Sequence, residues 1–132
     1  MKTAADAPQR LKRIYGWIGV ICWVLILPVK EARRFDLGID PMVIGFAPSL
    51  LGPAGLLLVI LSSERRFARL TIGEAALMAG TVALGLELAQ VLPLVRRIYT
   101  FDWLDVAATL FSIVAGAMIS AGLRRRYRAA SG

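Results

Sequence analysis

The sequence predicts an all-α integral membrane protein, a bundle of four transmembrane helices. Its composition gives the first indication: 58% of the 132 residues are hydrophobic and the mean hydropathy is +0.67. Soluble domains are about 45–50% apolar even when glycine is counted. The second indication is the arrangement, because four long apolar runs alternate with short charged stretches. Since a chain of this length corresponds to one domain, residues 1–132 are predicted to form a single four-helix membrane domain.

The predicted spans cover residues 14–29, 41–61, 70–95 and 103–123. A signal peptide also has a basic start and an apolar core, but no small-x-small cleavage site follows Leu27, which favours an uncleaved first span. The second span carries Pro48 and Pro53 among recurring small residues. This pattern predicts close helix packing and a kinked helix, or alternatively a kink that lines a cavity.

The distribution of basic residues predicts how the chain crosses the membrane. The net charge is +7, and eleven of the 16 lysines and arginines lie in the head, the second loop and the tail. The positive-inside rule therefore places both termini in the cytoplasm. Basic residues that flank apolar spans suit anionic lipid headgroups. They do not indicate a nucleic-acid partner.

The absence of histidine narrows the chemistry available to the chain. With no histidine and one cysteine, the sequence excludes a disulfide within the chain and a zinc site of histidine or cysteine ligands. It equally excludes haem held by histidine and any catalytic triad that needs imidazole. No motif identifies a nucleophile, so the sequence leaves open whether the protein is an enzyme.

The apolar third span carries two carboxylates, Glu74 near its start and Glu87 deeper inside. An ionisable residue within a membrane helix is costly and marks a functional site by default. At about 100° per residue, Glu87 shares a helix face with small residues such as Gly80, and Asp105 shares a face with Thr109 and Ser112. Because a short loop joins the two spans, they should pack antiparallel with these faces inward.

This packing predicts a polar pocket that opens on the extracytoplasmic side. The candidate ligand-binding residues are Glu87, Gln90, Arg96, Arg97, Asp102, Asp105 and Thr109. Asp102 and Asp105 are also candidate ligands for a divalent cation, since hard cations prefer carboxylate oxygens. The alternative is that these groups only hold the two helices together, with Glu87 bonded to Thr109, Gln90 or an arginine.

The same residues resemble the signature of VanZ-like membrane proteins. The similarity rests on Glu87-Leu88-Ala89-Gln90, on Thr100-Phe101-Asp102-Trp103-Leu104-Asp105-Val106, and on the small and polar residues Ala108-Thr109 and Gly116. It covers roughly residues 80–120. Thr109 stands where many relatives have asparagine, and Ser112 where many have glycine. The resemblance implies four helices with both termini inside, in a family associated with resistance to the lipoglycopeptide antibiotic teicoplanin.

Three functional hypotheses follow from these observations. In the first, an envelope protein binds or modifies a lipid or glycolipid headgroup, with Glu87 as base or anchor and Arg96 or Arg97 holding a phosphate or carboxylate. In the second, the chain is a non-catalytic scaffold, an accessory subunit of a larger membrane complex or a homo-oligomer. In the third, Glu87 serves as the proton relay of a transporter.

Overall fold

A computed structural model describes residues 6–32, 40–64, 67, 69–89, 92 and 102–130. These residues form four helices: α1 (Asp6–Ala32), α2 (Pro41–Ser62), α3 (Ile72–Ala89) and α4 (Trp103–Ala129). The described ranges contain no β-strand. Each helix is long and apolar enough to cross a membrane. The predicted all-α architecture of four transmembrane helices is therefore confirmed, and the protein is a multi-pass membrane protein.

Two helices extend beyond the predicted spans. α1 begins at Asp6 instead of residue 14, and α4 continues to Ala129 instead of residue 123. Both extensions carry basic residues, and lysine and arginine are good helix formers. Hydropathy marks only the part of a helix that suits lipid, so it missed these charged turns. Beyond Ala89, the predicted third span lies outside the described residues except at Leu92.

Polar side chains cap three of the helices. Asp40 and Asp102 each accept a hydrogen bond of 2.9 Å from the backbone N–H two residues ahead, at the starts of α2 and α4. α3 begins with a capping box: the Glu74 N–H donates to Thr71 Oγ1, and the Glu74 carboxylate accepts from the Thr71 N–H at 2.8 Å. Glu74 is exposed and has a local structural role.

α2 is the central helix of the bundle. It contacts α1, α3 and α4, whereas α1 touches α4 only lightly and has no contact with α3 among the described residues. The predicted contact between α3 and α4 is confirmed. Residues of α2 accordingly lie at the centre of the packing, and Leu57 is completely buried.

The hydrophobic core lies at the end of the bundle that holds both described termini. Its buried members are Leu11, Tyr15, Leu57, Leu58, Leu61, Ala75 and Ala79. The Tyr15 hydroxyl donates a buried hydrogen bond of 2.9 Å to the Ser120 carbonyl and so joins the start of α1 to the last turns of α4. α1 therefore begins at the same end of the bundle at which α4 finishes.

The outer surface of the bundle is apolar. Large side chains such as Trp17, Leu77 and Met118 are 65%, 72% and 70% exposed. Contiguous apolar surface on this scale is rare on a soluble monomer. It is the surface expected of helices whose outer faces contact lipid.

Two glycines allow α1 and α2 to approach closely. A Cβ atom added to Gly19 would lie 3.0 Å from the Gly55 carbonyl oxygen and 2.8 Å from a methyl carbon of Val59. A Cβ atom on Gly55 would lie 2.9 Å from Trp23 Cδ1. Small residues at such a crossing maximise van der Waals contact, which is the main source of helix association in lipid.

We expect Gly19→Ala to destabilise the bundle by about 1–3 kcal/mol, because the added methyl group meets a backbone carbonyl that cannot rotate away. The free energy of unfolding in mixed detergent micelles measures this loss. Gly122→Ala is the matched control, since a Cβ atom there meets nothing within 4 Å. Equal effects of the two substitutions would contradict the proposed close approach.

Candidate functional site

The site is built on an interruption in the backbone of α2. Pro53 lies within this helix and has no N–H, so it cannot donate to the carbonyl of Ser49 four residues earlier. The Thr109 hydroxyl of α4 donates to that carbonyl over 3.5 Å, in a buried position. Hydroxyl groups of neighbouring helices commonly satisfy backbone groups that proline frees within a membrane. Thr109 therefore supplies the hydrogen bond that the Ser49 carbonyl of α2 does not receive from its own helix.

A second hydroxyl of α4 contacts the next carbonyl and the next N–H group along α2. Ser112 Oγ donates to the Leu50 carbonyl and accepts a hydrogen bond of 3.0 Å from the Ala54 N–H. In an uninterrupted helix these two groups bond to each other. The buried Ser112 hydroxyl thus sits between them and joins α4 to α2.

The side chain of Ser49 lies between two carboxylates. Its Oγ atom is 3.4 Å from Oε1 of Glu87 and 3.2 Å from Oδ1 of Asp105. These distances place the two carboxylate oxygens at most about 7 Å apart. The hydroxyl has one proton and donates to one carboxylate at a time. Ser49 is only 8% exposed, while both acids are partly exposed, so the two carboxylates lie between a buried serine and the surface of the bundle.

The structure brings together part of the predicted set. Glu87 and Asp105 converge as expected, and Thr109 lies one turn further along α4 from Asp105. Asp102 is an exposed helix cap whose carboxylate accepts from the Leu104 N–H and whose carbonyl accepts from the Asp105 N–H. The predicted residues outside the described part of the chain are Gln90, Arg96 and Arg97.

Ser49 and Ser112 make contacts in the site, but sequence reasoning did not include them among its residues. Ser49 is one of the small residues that recur along the second span and predict close packing, whereas its hydroxyl joins the two acids. The sequence did contain a signal: Pro53 stands four residues after Ser49 and leaves a carbonyl for another helix to satisfy. Hydroxyl residues on one face of the fourth span were the available donors.

The described residues bring few metal ligands together. Within the described ranges, no three histidine, cysteine, aspartate or glutamate side chains converge closely enough to hold a metal ion. Glu87 and Asp105 provide two carboxylates, and Ser49 provides a hydroxyl oxygen. Cation binding by Asp102 and Asp105 stays a prediction.

Fold and geometry together define a multi-pass helical membrane protein with an acidic site between three helices. Comparison of the chain with protein-family models, with curated proteins and with solved structures finds no match. The VanZ-like resemblance therefore stays a prediction that rests on the residues quoted above.

We expect Thr109→Val to cost about 1–3 kcal/mol of stability, because it leaves the Ser49 carbonyl without its donor. Ser112→Ala should cost less, since the Leu50 carbonyl and the Ala54 N–H can then bond to each other. The free energy of unfolding of the two variants in mixed micelles tests this order. The reverse order would contradict the role assigned to Pro53.

A double-mutant cycle isolates the contribution of the proline. Pro53→Ala restores an N–H that can donate to the Ser49 carbonyl. In this background Thr109→Val should lose most of its effect, with a coupling of about 1 kcal/mol. Additive effects would show that Thr109 stabilises the bundle by some contact other than this hydrogen bond.

Proposed function

We propose that the protein is a VanZ-like membrane protein of the bacterial cell envelope whose Ser49–Glu87–Asp105 site binds the headgroup of a lipid or glycolipid. The observation that supports this proposal is the convergence of two carboxylates on one buried serine within an apolar bundle. The uncharged hydroxyl groups of Thr109 and Ser112 already join α4 to α2. A pair of acids from separate helices is costlier than that purpose needs.

The chemistry of the site favours a ligand that donates hydrogen bonds. Ionised carboxylates only accept, and each offers two oxygens. Sugar hydroxyl groups and the ammonium group of an aminolipid are donors of the matching kind. Hydrogen bonds between such donors and a carboxylate are stronger than neutral ones. The acids of Glu87 and Asp105 would thus anchor the headgroup, and Ser49 would orient them.

The depth of the site fits a headgroup. Asp105 lies in the first turn of α4, and Glu87 lies in the last described turn of α3. α3 rises about 27 Å over its 18 residues, close to the thickness of the hydrocarbon core. We therefore expect both acids to lie near one edge of the bilayer, where a headgroup can reach them without crossing hydrocarbon.

We expect Glu87→Gln to lower the amount of bound envelope lipid at least tenfold, because the amide keeps the shape of the side chain but loses its charge. The protein is extracted from bacterial membranes in polymer-bounded discs, and co-purifying lipids and glycolipids are identified by mass spectrometry. Asp105→Asn should have a similar effect on the same lipid species.

Glu74→Gln is the matched control, since glutamine also completes a capping box and Glu74 is exposed at the other end of α3. Retention of the full lipid profile by Glu87→Gln would contradict the proposed headgroup site. If that variant only lowered the free energy of unfolding, the acids would belong to a non-catalytic scaffold, the alternative function.

We further propose that this site faces the outside of the inner membrane. Among the described residues, the end of the bundle with both termini carries exposed arginines such as Arg13 and Arg125, and the positive-inside rule places that end in the cytoplasm. A green fluorescent protein fused after residue 132 should fluoresce, and alkaline phosphatase fused there should be inactive. The opposite pair of results would overturn the orientation.

A further inference from the structure

The end of the bundle opposite the acidic site is strongly basic. Its described basic residues are Arg10, Lys12, Arg13, Arg69, Arg124, Arg125, Arg126 and Arg128. The described acids whose side chains lie at this end are Glu64 and Glu74. This excess of positive charge lies where the helices leave the apolar span, the level at which lipid phosphates are found.

A groove of about 610 Å³ opens at this end, between α1 and α2. Lys12, Arg13 and Glu64 line its polar part, and Trp17, Val20 and Val59 line its apolar part. Val20 and Val59 lie closer to the middle of the spans than the charged residues do. The groove therefore changes from charged to apolar along the direction in which a lipid molecule lies.

The two cations of the groove have no acidic partner among the described residues. In the described part of the chain, neither Lys12 nor Arg13 forms an ion pair with an acid. Lys12 is half-buried and Arg13 is exposed. Trp17, which lines the same groove, is 65% exposed, and tryptophan is enriched at the membrane–water interface.

We propose that this groove binds an anionic phospholipid. Lys12 and Arg13 contact the phosphate, and one acyl chain follows the apolar surface of Val20 and Val59. Two cations against one carboxylate favour an anionic ligand by charge. A free phosphate ion would leave the apolar part of the groove unfilled, which is why the occupant is a membrane lipid.

This inference goes beyond the proposed function. Ser62, which lines the groove, follows Ser49 by 13 residues on α2, so the groove and the acidic site are about 20 Å apart along the helix. None of the residues lining the groove belongs to the Ser49–Glu87–Asp105 site. Variants at one end therefore leave the other end unchanged.

The probe is a vesicle of phosphatidylcholine that contains about 20 mol % phosphatidylglycerol with brominated acyl chains. Bromine quenches tryptophan on contact, and Trp23→Phe with Trp103→Phe leaves Trp17 as the sole tryptophan. We expect brominated phosphatidylglycerol to quench Trp17 more strongly than brominated phosphatidylcholine does at the same mole fraction. The double substitution Lys12→Gln/Arg13→Gln should weaken this preference about tenfold, because it removes both cations that attract the anionic headgroup.

Arg125→Gln with Arg126→Gln is the matched control, because it removes two exposed charges from the same end of the bundle but outside the groove. It should change the preference less than twofold. Equal losses from the two double variants would overturn the proposal, since they would show diffuse attraction of lipid to the whole basic end. Equal quenching by both brominated lipids in the parent protein would also overturn it.

A substitution at Glu64 should change the preference for phosphatidylglycerol in the opposite direction. Its carboxylate repels an anionic headgroup at the mouth of the groove, so Glu64→Gln should strengthen the preference for phosphatidylglycerol several-fold. Mass spectrometry of lipids retained by the purified Glu64→Gln and Lys12→Gln/Arg13→Gln variants, with all tryptophans present, gives an independent readout. Unchanged or weaker retention in Glu64→Gln would contradict the placement of the phosphate.

Discussion

The structure depends on how α4 satisfies the interrupted backbone of α2. A carbonyl that has lost its helical donor is expensive in hydrocarbon, because no water is present to replace the bond. The hydroxyls of Thr109 and Ser112 meet this requirement one turn apart on α4. Since both must face the same stretch of α2, they fix the rotation and the axial position of α4. Asp105, one turn before Thr109, is then placed beside the Ser49 side chain.

Ser49 takes part both in the contact between α2 and α4 and in the proposed acidic site. Ser49 accepts from Thr109 through its carbonyl and donates to the acids through its hydroxyl. Hydrogen bonds between membrane helices contribute about 0.6–2 kcal/mol each, so no single bond holds α4 in place. Close packing supplies the rest: a Cβ atom on Gly116 of α4 would lie 3.1 Å from Leu57 of α2. The contact that positions the acids is therefore the one by which α4 satisfies the interrupted backbone of α2.

Sequence reasoning predicted the helices and the convergence of the two acids of the site. Four apolar runs were sufficient for the architecture, and helical periodicity together with the short third loop predicted that Glu87 and Asp105 face each other. It did not predict the helix ends, because charged turns such as those of α1 before residue 14 are helical without being hydrophobic. It did not predict the place of Ser49 either. α2 has small or apolar residues on every side, so the sequence does not distinguish the face toward α1 from the face toward α4.

The order of the chain has a consequence for biosynthesis. α1 and α2 emerge first from the ribosome and can pair through Gly19 and Gly55 as soon as both are in the membrane. The donor for the Ser49 carbonyl arrives only with Thr109, 60 residues later. Until then the nascent helical hairpin holds an unmatched backbone group in the bilayer. We expect the membrane insertion machinery to shield α2 until translation of the final helix, so a truncated chain should be a substrate for membrane proteases.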